Sequence, residues 1–189
     1  MWSFTRPTPE RLQRLIASQE TLALTYPQLG VSASGTLPGY NVDANRVLLG
    51  HGPAVFAAAR EALRGWKQFP APWTYIWASE TPIAEGRSVA IVARAFGLWW
   101  PNTCRIVAVF DEPTRFGFAY GTLPRHVERG EEQFAVEQHA DDSVWYTIRA
   151  VSRPGYWMVR LASPLTRRMQ RRFARDSMAA MKAIAEGGR

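Results

Sequence analysis

The 189-residue chain contains a single cysteine, Cys104. One thiol excludes an internal disulfide and every zinc cage built from cysteines. No apolar run approaches the ~20 residues of a membrane-spanning helix, and the first residues, MWSFTRPTPER, lack the apolar core of a signal peptide. The sequence therefore predicts a cytoplasmic protein without a transmembrane segment.

The usual signatures of catalysis and nucleotide binding are missing as well. The chain has neither the GxSxG nucleophile elbow nor the HExxH metal-binding spacing. Gly50-His51-Gly52-Pro53 lacks the Lys-Ser/Thr of a P-loop and the spacing of GxGxxG, so we interpret it as a turn that opens a helix. His126-Val127-Glu128 matches the HxE of zinc deaminases, but no PCxxC follows it. We therefore predict no metal and no cofactor.

Positive charge, in contrast, is in excess, with a formal net charge of +7 at pH 7. Helical spacing puts most of a run of arginines on one face, beside an apolar stripe that includes Met169 and Phe173. This face is solvated, contacts phosphate on nucleic acid or an anionic membrane, or grips acidic residues elsewhere in the fold. Because no zinc finger, RNP sequence or helix-turn-helix spacing accompanies the charge, we predict no specific nucleic-acid partner. The arginines are Arg167, Arg168, Arg171, Arg172 and Arg175.

Hydrophobic periodicity divides the chain into an N-terminal extension at 1–39 and one domain at 40–189. In the extension, Thr8 and Pro9 favour the start of a short helix, which a loop rich in Gly, Ser and Pro follows. The domain reads as a strand, a helix that ends near Trp66, six strands, and a long helix to about Ile184, with Pro164 as a kink or break. The strands are predicted at 46–50, 73–79, 88–96, 105–111, 115–120, 131–138 and 143–151.

Short connections between the strands indicate an antiparallel meander, which must bury one face under the last helix. The predicted class is α+β: a curved sheet of about seven strands wrapped around a long C-terminal helix, with a short helix between strands 1 and 2. This order resembles the helix-grip fold of the lipid-transfer (START) and birch-pollen-allergen (SRPBCC) superfamily. The resemblance implies an apolar ligand between sheet and helix, because many members hold one there.

The run FGFAYGTLP at 116–124 is the longest specific motif in the chain. With further positions over roughly 22–175, it resembles uncharacterised protein family 0548, a domain of unknown function in the same superfamily. Two positions depart from the family pattern, Arg125 where Gly is usual and Val127 where Pro is usual. The resemblance implies the fold and assigns no activity. The further positions are Thr25-Tyr26, Gly30, Gly50, Gly52, Ala62-Leu63, Trp66, Asn102, Cys104-Arg105, His126, Glu128, Gly130-Glu131-Glu132, Phe134, Ser152-Arg153-Pro154, Pro164 and Gln170.

Residues 121–132 are predicted to form a long loop crowded with titratable groups, a type of segment that often carries function. Tyr120, His126, Glu128 and Glu131 are the candidate catalytic residues, as proton-transfer groups. Two alternatives are a metal site, which the lack of a recognised spacing disfavours, and a structural loop. In the structural case the loop carboxylates pair with arginines, for which the candidates are Arg105, Arg125, Arg129 and Arg153.

Aromatic residues are numerous, with eight Trp, nine Phe and six Tyr. A core of one sheet and one helix does not require so many large rings, whereas the wall of a ligand cavity uses them well. The candidate ligand-binding residues are Trp73, Trp77, Trp99, Arg105, Phe118, Tyr120, Thr122, His126, Tyr146 and Arg153.

Three functions follow from these features. The first is the binding of a small apolar or amphipathic molecule between the sheet and the C-terminal helix. The second is an enzyme on the same scaffold, with proton-transfer groups on the 121–132 loop. The third is an adaptor that docks its basic helix on an acidic partner. The sequence leaves the oligomeric state open.

Overall fold

A computed structural model of the protein describes residues 2–69, 72–77, 82–156 and 163–187. Four helices and seven strands lie in these ranges. They are α1 (Pro9–Ala17), α2 (Val31–Ser34), β1 (Asn41–His51), α3 (Pro53–Arg64), β2 (Thr74–Trp77), β3 (Ser88–Ala95), β4 (Leu98–Glu112), β5 (Arg115–Thr122), β6 (Glu128–Gln138), β7 (Ser143–Pro154) and α4 (Ser163–Gly187).

The seven strands form one antiparallel sheet in the order β1-β7-β6-β5-β4-β3-β2. Strands 2 to 7 follow one another as a meander, and β1 adds to the free edge of β7, with Val47 opposite Tyr146. The helix α3 connects β1 to the meander, and α4 follows its last strand. The structure confirms the predicted helix-grip fold, including the short helix after the first strand and the helical N-terminal extension.

Alternation along the strands gives the sheet an inner face, towards α3 and α4, and an outer face. Phe118, Phe134 and Ile148 are opposite one another on β5, β6 and β7, and all three are buried in the main core. Helix α3 contributes Phe56 and Leu63 to this core. A hydrogen bond of 2.9 Å between the hydroxyls of Tyr146 and Ser177 ties β7 to α4.

The N-terminal segment covers the outer face. Leu12 of α1 packs on Ala90 and Val92 of β3. Two arginines that the sequence places inside strands then donate to the main chain of this segment: Arg105 to the carbonyls of residues 19, 20 and 22, and Arg149 to those of residues 31, 32 and 35. The division at residue 39 stays a prediction.

Several predicted elements differ from the structure, most of all β4, which begins at Leu98 and not at 105. Strand β1 begins at Asn41, five residues before the prediction. Pro164 is the second residue of α4, where its missing N–H breaks no helical hydrogen bond, so it starts the helix and does not kink it. The start of this helix was predicted within a stretch that includes 157–162, outside the described residues, and the end of the strand predicted at 73–79 lies outside them too.

The predicted loop at 121–132 is mostly strand. Strand β5 runs to Thr122 and β6 starts at Glu128, which leaves a connection of residues 123–127. Glu131 pairs with Gly121 on one side and with Val151 on the other, so the neighbouring strands hold this polar stretch in the ladder. Of the candidate proton-transfer groups, His126 alone is on the connection.

Candidate functional site

A cavity of about 730 Å³ lies between the inner face of the sheet and α4. Its wall is largely apolar and comes from both layers and from the segment after α3. The rings of Phe69 and Trp73 approach Phe173 of α4 with centroid separations of 5.5 and 6.5 Å. The other large apolar residues of the wall, apart from those at its rim, are Ile91, Trp100, Ile148 and Met169.

Trp73 is held in place by two charged residues of α4. Its indole Nε1 donates to Asp176 over 3.2 Å, and the guanidinium of Arg172 lies 4.5 Å from its ring centroid. Arg172 also forms an ion pair of 3.4 Å with Asp176. These contacts fix one aromatic face of the cavity against the helix.

Exposed aromatic and aliphatic side chains stand at the rim of the cavity. Trp2, Phe96, Tyr156 and Leu165 border it, although each keeps 40–59% of its surface exposed. The Tyr156 hydroxyl donates to the carbonyl of Pro124 over 2.6 Å, which ties the rim to the connection between β5 and β6.

Four acidic residues border the cavity: Glu131, whose carboxylate binds the N-terminal segment, and three in the polar part of the lining, which are Asp43 on β1 and both Glu128 and Glu132 on β6. The last three share the inner face, because Asp43 is opposite Ala150 of β7, which in turn is opposite Glu132. Arg167 of α4 binds Asp43 through two hydrogen bonds, one of them 2.9 Å long. Arg167 thus supplies one positive charge beside the three carboxyl groups of Asp43, Glu128 and Glu132.

Glu128 is 8% exposed, and its Oε1 has no hydrogen-bond partner within the described part of the chain. Burial raises the pKa of this carboxyl to about 7, and the Ser152 hydroxyl and the charge of Arg167 oppose the rise. Buried polar atoms in folded proteins normally have a partner. An orphan carboxyl oxygen in a cavity wall therefore indicates a group that a ligand is able to satisfy.

Glu132 accepts a short hydrogen bond from the Tyr120 hydroxyl. Burial raises the pKa of Glu132 to about 7, the Tyr120 hydrogen bond opposes the rise, and the negative charge of Asp43 adds to it. Burial, together with the charge of Glu132, raises the pKa of Tyr120 well above its usual value. At neutral pH the pair holds a protonated phenol beside a carboxyl that is able to take up or release a proton.

His126 borders the cavity next to Glu128 but does not contact its carboxylate. The imidazole Nδ1 accepts from the Glu128 main-chain N–H over 2.9 Å. Because that N–H only donates, Nδ1 carries no proton and the neutral ring holds its proton on Nε2. Burial lowers the pKa of His126 to about 4, with the Glu128 main chain opposing. His126 is therefore a neutral donor at pH 7.

Glu131 has a different place from the two glutamates described above. Its carboxylate accepts from the Tyr26 hydroxyl (2.6 Å), the Gly30 N–H (2.9 Å), and both the N–H (2.9 Å) and the hydroxyl of Ser32. These partners belong to the N-terminal segment on the outer face. The prediction that a glutamate here pairs with Arg105 or Arg153 is wrong for Glu131, because main-chain and hydroxyl donors surround it.

The structure brings four of the ten predicted ligand-binding residues to the cavity: Trp73, Tyr120, Thr122 and His126. Phe118 and Tyr146 are on the inner face but are fully buried in the core. The remaining four are on the outer face, where Trp77 and Trp99 pack near α1, Arg105 grips the N-terminal main chain, and Arg153 lies over the ring of Tyr40.

Asp43, Glu132 and Phe69 are the main residues of the lining that the predicted site omits. The period-two alternation of β6 would have joined Glu132 to Glu128, had that stretch been recognised as a strand. Asp43 falls in the part of β1 that the sequence pattern missed. Phe69 follows α3 without a periodic signal, so only the tertiary structure brings it to the cavity.

The basic stripe of α4 is partly neutralised. Besides the Arg167–Asp43 pair, Arg172 and Arg175 both pair with Asp176. The Arg167–Asp43 pair agrees with the interpretation in which the stripe grips acidic residues elsewhere in the fold, whereas Asp176 is on α4 itself. Within the described ranges, no helix is long and apolar enough to cross a membrane, and no cluster of three His, Cys, Asp or Glu has a metal-binding arrangement.

Comparisons with known proteins agree with this fold. A UPF0548 protein of Deinococcus radiodurans is 35% identical over 187 residues, covering 93% of this chain and 94% of that one. The crystal structure of hypothetical protein jhp0584 from Helicobacter pylori superposes with a TM-score of 0.57 at 14% identity, over 86% of this chain and 96% of that one. One half of the di-domain ARO/CYC StfQ of steffimycin biosynthesis is also similar, with a TM-score of 0.51 at 11% identity over 78% of this chain and 51% of that one.

The two superpositions show the fold alone, whereas the sequence match extends to the family. Residues 25–180 match the family described as a domain of unknown function, DUF1990. This range contains the 116–124 motif and Glu128, Glu131 and Glu132 of β6. The resemblance to family 0548 is thus confirmed, and the chain belongs to this UPF0548 (DUF1990) family.

Proposed function

We propose that the protein binds a small amphipathic molecule in the cavity between the sheet and α4. The observation that carries this proposal is the cavity itself, about 730 Å³ in volume, with an aromatic wall and a few polar groups in one part of its lining. Sites for small molecules typically have ~300–1,000 Å³, mostly apolar walls and few orienting polar groups. The volume and the composition both fit that description.

The distribution of side chains on β6 supports the same function. Core positions of a sheet are normally apolar, yet this strand directs Glu128 and Glu132 to the inner face. Burying a carboxyl group without full hydrogen bonding costs free energy. Binding of a ligand to Glu128 and Glu132 explains why carboxyl groups occupy these inner positions, whereas a purely structural core does not require them.

An apolar fluorescent probe tests the proposal. We expect phenylnaphthylamine to bind the wild-type protein at one site, with enhanced emission. Ala150→Phe, which adds a ring to the cavity lining, should weaken this binding at least tenfold. Ala44→Phe is the matched control, because Ala44 is on the outer face of the adjacent strand and is exposed. Absence of saturable binding, or equal binding by Ala150→Phe, would contradict the proposal.

A catalytic function on the same scaffold is the second candidate, and the Tyr120–Glu132 pair is the observation that favours it. A carboxyl with a pKa near 7 inside a cavity suits a general acid or base, and the neutral phenol suits a hydrogen-bond donor. The His126–carboxylate contact expected of an enzyme on this scaffold is replaced by a bond to the main chain. Native mass spectrometry of the purified protein separates the two functions: an unchanged co-purifying molecule supports binding, and turnover of that molecule by the wild type but not by Glu132→Gln supports catalysis.

A further inference from the structure

The polar part of the cavity lining is acidic. Arg167 binds Asp43 and Gln170 through three of its N–H donors, so its charge is paired with Asp43, and Glu128 and Glu132 have no such ion pair with any described residue. The two arginines of the lining, Arg125 and Arg171, are exposed residues. His126 is neutral, for the reason given above. The inner polar groups therefore present an excess of carboxyl over cationic groups to anything that enters the cavity.

Among these carboxyl groups, Glu128 is the one with an oxygen atom that lacks a hydrogen-bond partner in the described part of the chain. Glu132 already accepts from Tyr120 and Asp43 already binds Arg167, whereas Oε1 of Glu128 lacks a partner among the described residues. A ligand hydroxyl or amide would satisfy the hydrogen bond but leave the ionised carboxyl desolvated, with no positive charge near it within the described ranges except Arg167, which already pairs with Asp43. A ligand carboxylate would be repelled by three acidic side chains. A cationic nitrogen supplies both the donor and the charge, and charge-assisted hydrogen bonds of this type are the strong ones.

Resting on the proposed function, we infer that the ligand is an amphipathic amine whose protonated nitrogen donates to Glu128, while its apolar body packs against Phe69, Trp73 and Phe173. The separation of the two glutamates adds a second requirement. Four residues along a strand span about 13 Å, so a small ammonium at Glu128 does not reach Glu132. Glu132 is then available to a second polar group at another point on the same molecule.

Three compounds with one body and different head groups test this inference: phenylbutylamine, phenylbutanol and phenylbutyrate. Titration calorimetry at pH 8 should give an affinity for the amine at least about tenfold above that for the alcohol, with the carboxylate weakest. Glu128→Gln keeps the shape of the side chain and removes its charge. We expect this variant to bind the amine no better than the alcohol and to bind the alcohol as the wild type does. Glu137→Gln is the control, since Glu137 is on the same strand and pairs with Arg115 away from the cavity.

The outcomes separate the inference from the proposed function. If none of the three compounds binds at millimolar concentration, the proposed function fails along with the inference. If the alcohol or the carboxylate binds as tightly as the amine, or if Glu128→Gln keeps the amine preference, only the inference is overturned. Should Glu128→Gln fail to fold, calorimetry of the wild type at pH 6.5 in two buffers of different ionisation enthalpy replaces it. Amine binding should then release protons from the carboxyl and alcohol binding should release none; no proton release with the amine overturns the inference.

Discussion

Replacing Glu131 tests how much this one side chain contributes to fastening the N-terminal segment to the sheet, beside the contacts of Arg105 and Arg149. Glu131 is 1% exposed and accepts four hydrogen bonds from Tyr26, Gly30 and Ser32. In Glu131→Ala these four donors lose their acceptor, and two of them are the hydroxyls of the buried residues Tyr26 and Ser32. At about 1.5–3 kcal/mol for each hydrogen bond to a charged group, the two alone predict a loss of about 3–6 kcal/mol.

Thermal unfolding gives the first measurement. For a domain of this size, 1 kcal/mol lowers the Tm by about 2–4 °C, so Glu131→Ala should lower it by at least about 6 °C. Glu137→Ala is the control on the same strand: Glu137 has a partly exposed ion pair with Arg115, and its loss should cost less than about 1 kcal/mol. Tyr26→Phe removes one donor and should fall between the two.

Amide hydrogen exchange locates the effect. The N–H groups of Gly30 and Ser32 donate to the Glu131 carboxylate, so both should exchange faster in Glu131→Ala, while the strands around Phe134 retain their protection. A Tm within about 2 °C of the wild type, with unchanged exchange at these two amides, would refute the reasoning and show that other contacts hold the segment.

Two further predictions concern pH and packing. In the folded state the pKa values of Glu128 and Glu132 are raised to about 7, so the folded state binds more protons than the unfolded state. The free energy of unfolding should therefore fall as the pH rises through 7. The lowered pKa of His126 acts in the opposite sense, but only below about pH 6.5. Thermal melts between pH 6.5 and 8 should show this fall, and the double Gln variant should flatten it; an equally steep fall in the variant would contradict the assignment. Gly121→Ala would put its Cβ 2.4 Å from the Tyr26 hydroxyl and should cost about 1–3 kcal/mol in chemical denaturation, and an unchanged midpoint would mean that Tyr26 is free to move.

The sequence predicted the architecture because the apolar periodicity of the inner face survives in most strands. Phe116, Phe118 and Tyr120 alternate as a strand requires, and the stripe of Met169 and Phe173 marks the helix that covers them. These are local patterns, in which burial on one face is visible in the order of residues. The element order then leaves few ways to close the core.

Much of the candidate site could not be predicted in this way. Residues 128–132 read ERGEE, a composition that disfavours strands, and tertiary pairing overrides it. Gly130 shows why: its φ is +152°, and a Cβ there would meet the carbonyl oxygen of Val151 at 2.0 Å. A glycine required by close approach of β7 looks, in the sequence alone, like a turn residue. The partners of Glu131 lie about 100 residues earlier in the chain, beyond any local pattern.

The contrast between Glu131 and its neighbours on β6 separates support from function. All three glutamates are on one strand, and the pleat sends Glu131 to one face of the sheet and Glu128 and Glu132 to the other. On the outer face the Glu131 carboxylate has four donors and the residue is 1% exposed, which is what a structural role requires. On the inner face Glu128 keeps an unpaired oxygen, and Glu132 has one phenol partner beside a cavity of about 730 Å³. Identical side chains a few residues apart thus differ in how fully the fold satisfies them, and the unsatisfied one is where a ligand gains most.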